Sequence, residues 1–257
     1  MELNLCYVAG SSPCHMQRLV ATETATFFLL KKPVFYIIYL VMLKINFLGD
    51  SITEGMNADK IEHTYVYLVG KMANCVTRNY GICGTRIARQ RIPSDEPMFD
   101  RYFSSRVDEM NNDADYIFVF GGTNDYGHGD APFGKMGDKT VDTFYGAVDF
   151  LINKLMQYYK KEQIIFIPPL YRTNENSIYG SHDSKTEPCN PLSVYREALM
   201  EVVNSYNIKT LDIKDIIGKA ENNPLIDDGL HPNNAGHHRI AELISGYIKN
   251  ILLKKAD

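Results

Sequence analysis

The sequence predicts an α/β protein: a mostly parallel sheet with helices on both faces. Three observations carry this. From residue 44 onward, short apolar runs alternate with longer amphipathic segments. The run Tyr116-Ile117-Phe118-Val119-Phe120 is apolar throughout, as a strand covered on both faces requires. The intervening segments carry helical stripes, Val194, Ala198, Val202 and Tyr206 in one, Ile240, Leu243, Ile244 and Ile248 in another. Strands separated by helices imply right-handed βαβ crossovers.

In chain order, strands are predicted at residues 44–48, 75–80, 116–121, 164–168 and 208–213. Helices are predicted at 64–73, 98–110, 141–160, 193–207 and 233–253. Two irregular stretches, 125–140 and 171–190, each follow a strand and so overhang the carboxyl edge of the sheet, where loops carry specificity. The beginning of the chain differs. It is rich in Ser and Thr without a steady period, and Lys31-Lys32 then precede the apolar run 33–43. That run is shorter than the ~20 residues a membrane-spanning helix needs. It has the length of a signal-peptide core, but a long segment precedes it and no small-residue cleavage site follows. The folded domain is therefore expected over 42–257, with 1–41 an accessory or misassigned extension; a buried extra helix or strand is the alternative.

At 257 residues the chain suits one well-buried domain, or at most two small ones. A hydrophobic content of 45% and a charged content of 23% are ordinary for a soluble globular protein. A formal net charge of −4, with no basic stripe, gives no support for a nucleic-acid partner. The five cysteines, Cys6, Cys14, Cys75, Cys83 and Cys189, match no zinc spacing. An odd count in a chain of this size reads as free thiols in a reducing compartment, with Cys83 a small buried filler. No internal repeat or low-complexity segment occurs.

Four short stretches carry candidate chemistry. The first strand ends in Gly49-Asp50-Ser51 and opens a helix, which sets Ser51 at the carboxyl end of a strand and at a helix N-terminus. Open α/β sheets place ligands at that edge, and helix N-termini favour developing negative charge. Asn79-Tyr80-Gly81-Ile82-Cys83-Gly84-Thr85-Arg86 follows the second strand, where glycines let a backbone N–H approach a ligand. Gly121-Gly122-Thr123-Asn124-Asp125 follows the third, where the Asn124 amide can donate to an oxyanion. Ile226-Asp227-Asp228-Gly229-Leu230-His231-Pro232 precedes the last helix. An Asp three residues before a His can orient the imidazole through Nδ1–H and leave the opposite nitrogen to take a serine proton. Pro232 keeps His231 extended and outside the helix. Each stretch alone is a turn or a cap; together, on one sheet edge, they supply a nucleophile, oxyanion donors, a base and its orienting carboxylate for acyl transfer.

With these residues the chain resembles the SGNH hydrolases, also called the GDSL lipase/esterase family. Four blocks appear in order: Gly49-Asp50-Ser51, Gly84 in an Asn-x-Gly-x-x-Gly setting, Gly122-Thr123-Asn124-Asp125, and Asp228-x-x-His231. The resemblance implies a flavodoxin-like three-layer α/β/α sandwich with a five-stranded parallel sheet. It implies Ser51 as nucleophile, His231 as general base then acid, and Asp228 as orienting carboxylate. The Ser51 and Gly84 N–H groups and the Asn124 amide would form the oxyanion hole. The Gly-x-Ser-x-Gly elbow of ordinary α/β-hydrolases is absent.

Around this set, Asp50, Arg86, Asp125, His128 and Arg172 are candidate substrate contacts. For Asp125 a loop-holding role competes, for His128 an exposed loop position, and for Arg86 and Arg172 a structural ion pair. A catalytic metal at His231, His237 and His238 with Asp227 and Asp228 is disfavoured. Adjacent helical residues diverge by roughly 100°, and no zinc spacing is present. No cofactor is expected: the first strand is followed by no Gly-rich phosphate loop of a nucleotide or flavin binder. A non-catalytic binding module is the remaining alternative. The polar loops after the third and fourth strands favour a short acyl group, such as acetyl on a carbohydrate, over the longer chains of a lipase, lysophospholipase or thioesterase. The expected partner is thus a small-molecule or carbohydrate ester, with no stable membrane insertion, and no signal of oligomeric state. The expected location is the cytoplasm, with secretion or membrane association following if 33–43 acts as a targeting segment.

Overall fold

A computed structural model describes residues 42–181 and 184–256. The expectations for residues 1–41 lie outside the described residues.

The strands are β1 (Lys44–Gly49), β2 (Val76–Gly81), β3 (Tyr116–Phe120), β4 (Ile164–Ile167) and β5 (Lys209–Thr210). They form one sheet in the order β2-β1-β3-β4-β5, parallel at every pairing. The helices are α1 (Ser51–Glu54), α2 (Tyr65–Ala73), α3 (Thr123–Gly127), α4 (Phe144–Leu155), α5 (Leu192–Ser205), α6 (Lys214–Ile217) and α7 (Asn234–Ala256).

Side-chain alternation builds the layers. Ile117 and Val119 of β3 and Ile164 and Phe166 of β4 join a core with α4, α5 and Phe103 and Val107. Their neighbours Phe118, Phe120, Ile165 and Ile167 join the opposite core with α2 and α7. Period-2 strands with both faces covered must be apolar at every position, which explains the run at β3. Each fully buried large side chain, such as Phe47, Tyr65, Phe118 or Phe166, contributes ~1.5–3 kcal/mol. The chain leaves β1 to one side for β2 and crosses back to its other side for β3. The crevice at the carboxyl ends of β1 and β3 is the topological switch point, where such sheets bind ligands.

Several elements depart from the sequence expectation. The stretch 98–110 is not an α-helix but two 3₁₀ segments, Pro97–Asp100 and Phe103–Glu109. Phe99, Phe103, Val107 and Met110 fall at helical spacing, but the Ser105 hydroxyl bonds back to the Tyr102 carbonyl at 2.6 Å, competing with helix. The helix expected over 141–160 is α4, Phe144–Leu155; its later start follows from Thr143, which caps it by accepting from the Gly146 N–H at 3.1 Å. The predicted strand 208–213 narrows to the two residues of β5 on the sheet edge. Helices α1, α3 and α6, of one turn each, are too short to show a period.

Candidate active site

Helix α1 presents Ser51. The Asp50 carboxylate caps it, accepting from the Ile52 N–H at 3.1 Å. Thr53 Oγ1 meets the Tyr65 hydroxyl at 2.9 Å, and Asn79 Nδ2 donates to the Thr53 carbonyl at 2.7 Å. At the far end, His237 bonds the Met56 carbonyl at 3.0 Å through Nε2 and meets the Tyr65 N–H at Nδ1. With only four residues, α1 has little dipole; its contributions are backbone N–H groups and a pinned Ser51.

His231 comes from the loop ahead of α7. Ser51 Oγ lies 3.0 Å from His231 Nε2, across 180 residues of chain, and His231 Nδ1 lies 2.7 Å from Asp228 Oδ2. Asp228 Oδ1 accepts from the N–H groups of Leu230 at 2.9 Å and His231 at 2.7 Å. Burial pushes the Asp228 carboxyl up, but the His231 N–H, its ring and the Leu230 N–H outweigh that and hold the carboxyl down to about 2. The loop is fastened at both ends. Ile226 and Pro232 form an antiparallel bridge, and the Gly229 carbonyl accepts from the Thr173 N–H at 2.8 Å. Gly229 has φ of +78°, and a Cβ there would come within 2.5 Å of the Thr173 side chain, so only glycine fits.

Gly84 turns with φ of +71°, a conformation that glycine adopts without steric cost. Among the described residues, no acceptor meets the N–H of Ser51 or of Gly84. Asn124, at the start of α3, is buried, and its Nδ2 donates to the Thr85 carbonyl at 3.0 Å. The structure thus joins Ser51, His231 and Asp228 in one relay and ties Asn124 to Thr85, next to Gly84.

The candidate substrate contacts fare differently. Asp125 is buried and accepts from the N–H groups of Ile87 at 2.9 Å and Ala88 at 2.9 Å, tying the Gly84 loop to α3. Asp50 is likewise buried; burial chiefly raises its carboxyl to about 7, and its Oδ2 has no partner among the described residues. Arg172 is buried, bonded to Thr123 and the Ser181 hydroxyl and lying over the Tyr126 ring. Arg86 donates to the Phe99 carbonyl at 3.0 Å and to His128 Nδ1 at 2.8 Å, with Asp100 at 4.0 Å. These four side chains are engaged with the scaffold, although Asp50 Oδ2, Arg86 Nε and Arg172 Nε meet no partner among the described residues. His128 is half-buried, not an exposed loop residue, and lies against Asn124. Cys83 is half-buried rather than core. Of the residues weighed for a metal, His237 is buried on Met56 and Tyr65, while His238 points to Glu242 at 3.6 Å. Asp227 accepts from Asn233 at 2.6 Å.

Arg106 carries no sequence signal, yet it sits beneath the site. It donates to the carbonyls of Tyr80 at 2.7 Å and Gly49 at 3.1 Å and to Thr85 Oγ1 at 3.2 Å. It thereby joins the ends of β1 and β2 to the Gly84 turn. Burial lowers its guanidinium to about 10. Beside His128, a cavity of about 590 Å³ opens between the loops near Gln90, Phe133 and Lys185.

A model of the GDSL-like lipase/acylhydrolase family matches residues 47–239. Among solved structures, the chain is similar to a Lactobacillus plantarum protein at 28% identity and a TM-score of 0.66, covering 82% of this chain and 99% of that one. The lipase/acylhydrolase from Enterococcus faecalis shares the fold at 22% identity and a TM-score of 0.56, covering 81% of this chain and 96% of that one. A two-domain esterase active on acetylated mannans shares it at 20% identity and a TM-score of 0.53, covering 82% of this chain and 50% of that one. None of the curated proteins matches the chain.

Proposed function

The chain belongs to the GDSL-like lipase/acylhydrolase family and is an ester hydrolase; on that premise we propose that it works by acyl transfer through Ser51, His231 and Asp228 and removes short acyl groups from a polar substrate, an acetylated carbohydrate above all. Ser51 Oγ attacks the ester carbonyl while its proton passes to His231 Nε2. The negative oxygen of the tetrahedral intermediate accepts from the Ser51 and Gly84 N–H groups and the Asn124 amide. Protonated His231, steadied by Asp228, gives its proton to the departing alcohol. It then takes one from water, which attacks the acyl-enzyme and frees the acid.

One observation carries this reading: the unbroken relay from Ser51 Oγ through His231 to Asp228, at 3.0 and 2.7 Å. The unengaged N–H groups of Ser51 and Gly84 support the oxyanion assignment. For the substrate, support comes from the loops after β3 and β4, which are rich in Gly, Asp, Asn, Tyr and Ser; the cavity beside His128 is lined by none of Ser51, Asn124, Asp228 or His231 and does not bear on it. A second reading, hydrolysis of longer acyl chains, is favoured by the lipase sense of the family that the chain matches. A series of aryl esters from acetyl to octanoyl, with a panel of acetylated sugars, separates the two. Highest kcat/KM on acetyl esters and release of acetate from a sugar support the first reading; preference for octanoyl overturns it.

We read 42–257 as the hydrolase domain and 1–41 as the accessory or misassigned segment, supported by the family match from residue 47 and by β1 starting at Lys44. Among the described residues no helix is long and apolar enough to cross a membrane. Free Cys75, Cys83 and Cys189 support a reducing, cytoplasmic compartment.

A further inference from the structure

Asn124 presents its amide at the position assigned above to the oxyanion, but an amide has two ends, and a flipped Asn124 would offer oxygen to an anion. The structure contains a device against this. Asn124 Nδ2 faces the Thr85 carbonyl at 3.0 Å, and its Oδ1 faces His128 Nε2 at 3.2 Å. His128 Nδ1 in turn lies 2.8 Å from Arg86 Nη2.

The two ends of this chain have fixed roles. A carbonyl only accepts and a guanidinium only donates. Arg86 must therefore donate to Nδ1, which leaves the single imidazole proton on Nε2, pointing at Asn124 Oδ1. Thr85 must accept from Nδ2. Both requirements set the same amide orientation. One Nδ2 hydrogen is used by Thr85, and the other is left for a ligand. Burial, then the charges of Arg86, Arg172 and Lys185, hold the His128 imidazole down to about 4, so it keeps one proton across the neutral range. Arg86 is anchored in its turn by the Phe99 carbonyl. The helical turn brings His128 back over Asn124, since the His128 N–H bonds the Asn124 carbonyl at 3.0 Å.

We infer that His128 is a positioning residue for the hydrolysis: with Arg86 behind it, it holds the Asn124 side chain in the one orientation that donates to the oxyanion. This rests on Asn124 being an oxyanion donor. Its effect belongs to the transition state, so it falls on kcat and leaves KM alone. Since loss of an oxyanion donor costs ~10²–10³ in kcat, loss of its orientation costs a part of that, about tenfold.

The test is a double-mutant cycle on an aryl acetate, with folding followed by circular dichroism. Asn124→Ala tests the underlying reading; an unchanged kcat overturns that reading and this inference together. Given a fall in Asn124→Ala, His128→Leu is expected to lower kcat about tenfold at constant KM, and to cost less than twofold in the Asn124→Ala background. His128→Gln is expected to restore kcat to within about threefold, because the glutamine amide spaces a donor and an acceptor much as imidazole does. If His128→Leu does not fold, His128→Phe, which keeps a ring in the space, decides the same comparison. An unchanged kcat in these variants, the same penalty with and without Asn124, or a Gln variant as impaired as Leu would overturn the inference while leaving Asn124 in its role.

Discussion

Replacing Asp228 with Asn changes one atom, and its consequence follows from the atoms around it. Asp228 Oδ1 accepts two backbone N–H groups, of Leu230 at 2.9 Å and His231 at 2.7 Å, so in Asp228→Asn only the amide oxygen can occupy that place. The amide NH₂ is then left where Oδ2 stood, 2.7 Å from His231 Nδ1. Facing a donor, Nδ1 must accept, and the ring proton moves to Nε2. That tautomer donates toward Ser51 and cannot take its proton. The variant also loses the negative charge opposite the imidazolium. Together these are expected to lower kcat by ~10³–10⁴, about 4–5.5 kcal/mol, as in a serine protease given the wrong tautomer. The fold should persist, since both backbone bonds survive. Steady-state hydrolysis of an aryl acetate, with thermal unfolding as the control, measures this. A variant within tenfold of the parent in kcat would refute the tautomer argument. The loss should still be smaller than in Ser51→Ala, because Asp228 orients and does not react.

Two further outcomes follow from the buried charges below the site. Burial lifts the Asp50 carboxyl from the usual 3.8 to about 7. The folded protein then binds more protons than the unfolded chain between those values, so stability falls as pH rises from about 4 to about 7. Asp50→Asn keeps the cap on the Ile52 N–H and removes the titration. Its Tm is expected to drop less than the parent's between pH 5 and pH 8, and an identical drop in both would contradict this. Arg106→Met strips a donor from the Gly49 and Tyr80 carbonyls and from Thr85. It is expected to cost ~3 kcal/mol in chemical denaturation, from buried acceptors left unmet, and a change under 1 kcal/mol would be too small for the role given to it.

The legible parts of this molecule were those written in local patterns. Runs that are apolar throughout announced β3 and β4, while β2 and β5 carry polar residues and were placed by the alternation of segments; the stripes of α5 and α7 appeared at helical spacing. Ser51, Gly84, Asn124 and His231 stood out because turn-forming residues surround them after strands or before a helix. What stayed hidden depends on partners far along the chain. Nothing near Arg106 says that it will bond Gly49, 57 residues before it. For Asp125 a loop-holding role was legible, but not its partners, the N–H groups of Ile87 and Ala88, 38 and 37 residues away. Arg172 was weighed as an ion-pair member, but it is met by Thr123 and Ser181 instead. The 98–110 stretch misled because composition permits helix there, while Phe103, Arg106 and Val107 all point inward in a 3₁₀ path that serves the core and the site.

The central claim is that Ser51 forms a covalent acyl intermediate with His231 as its base. Labelling by a fluorophosphonate, read by intact mass and by mapping the modified peptide, tests it most directly. One adduct on the Ser51 peptide, lost in Ser51→Ala and greatly slowed in His231→Ala, is the predicted result. Labelling that persists in Ser51→Ala, or its absence from a parent enzyme that still hydrolyses an acetyl ester, would contradict it.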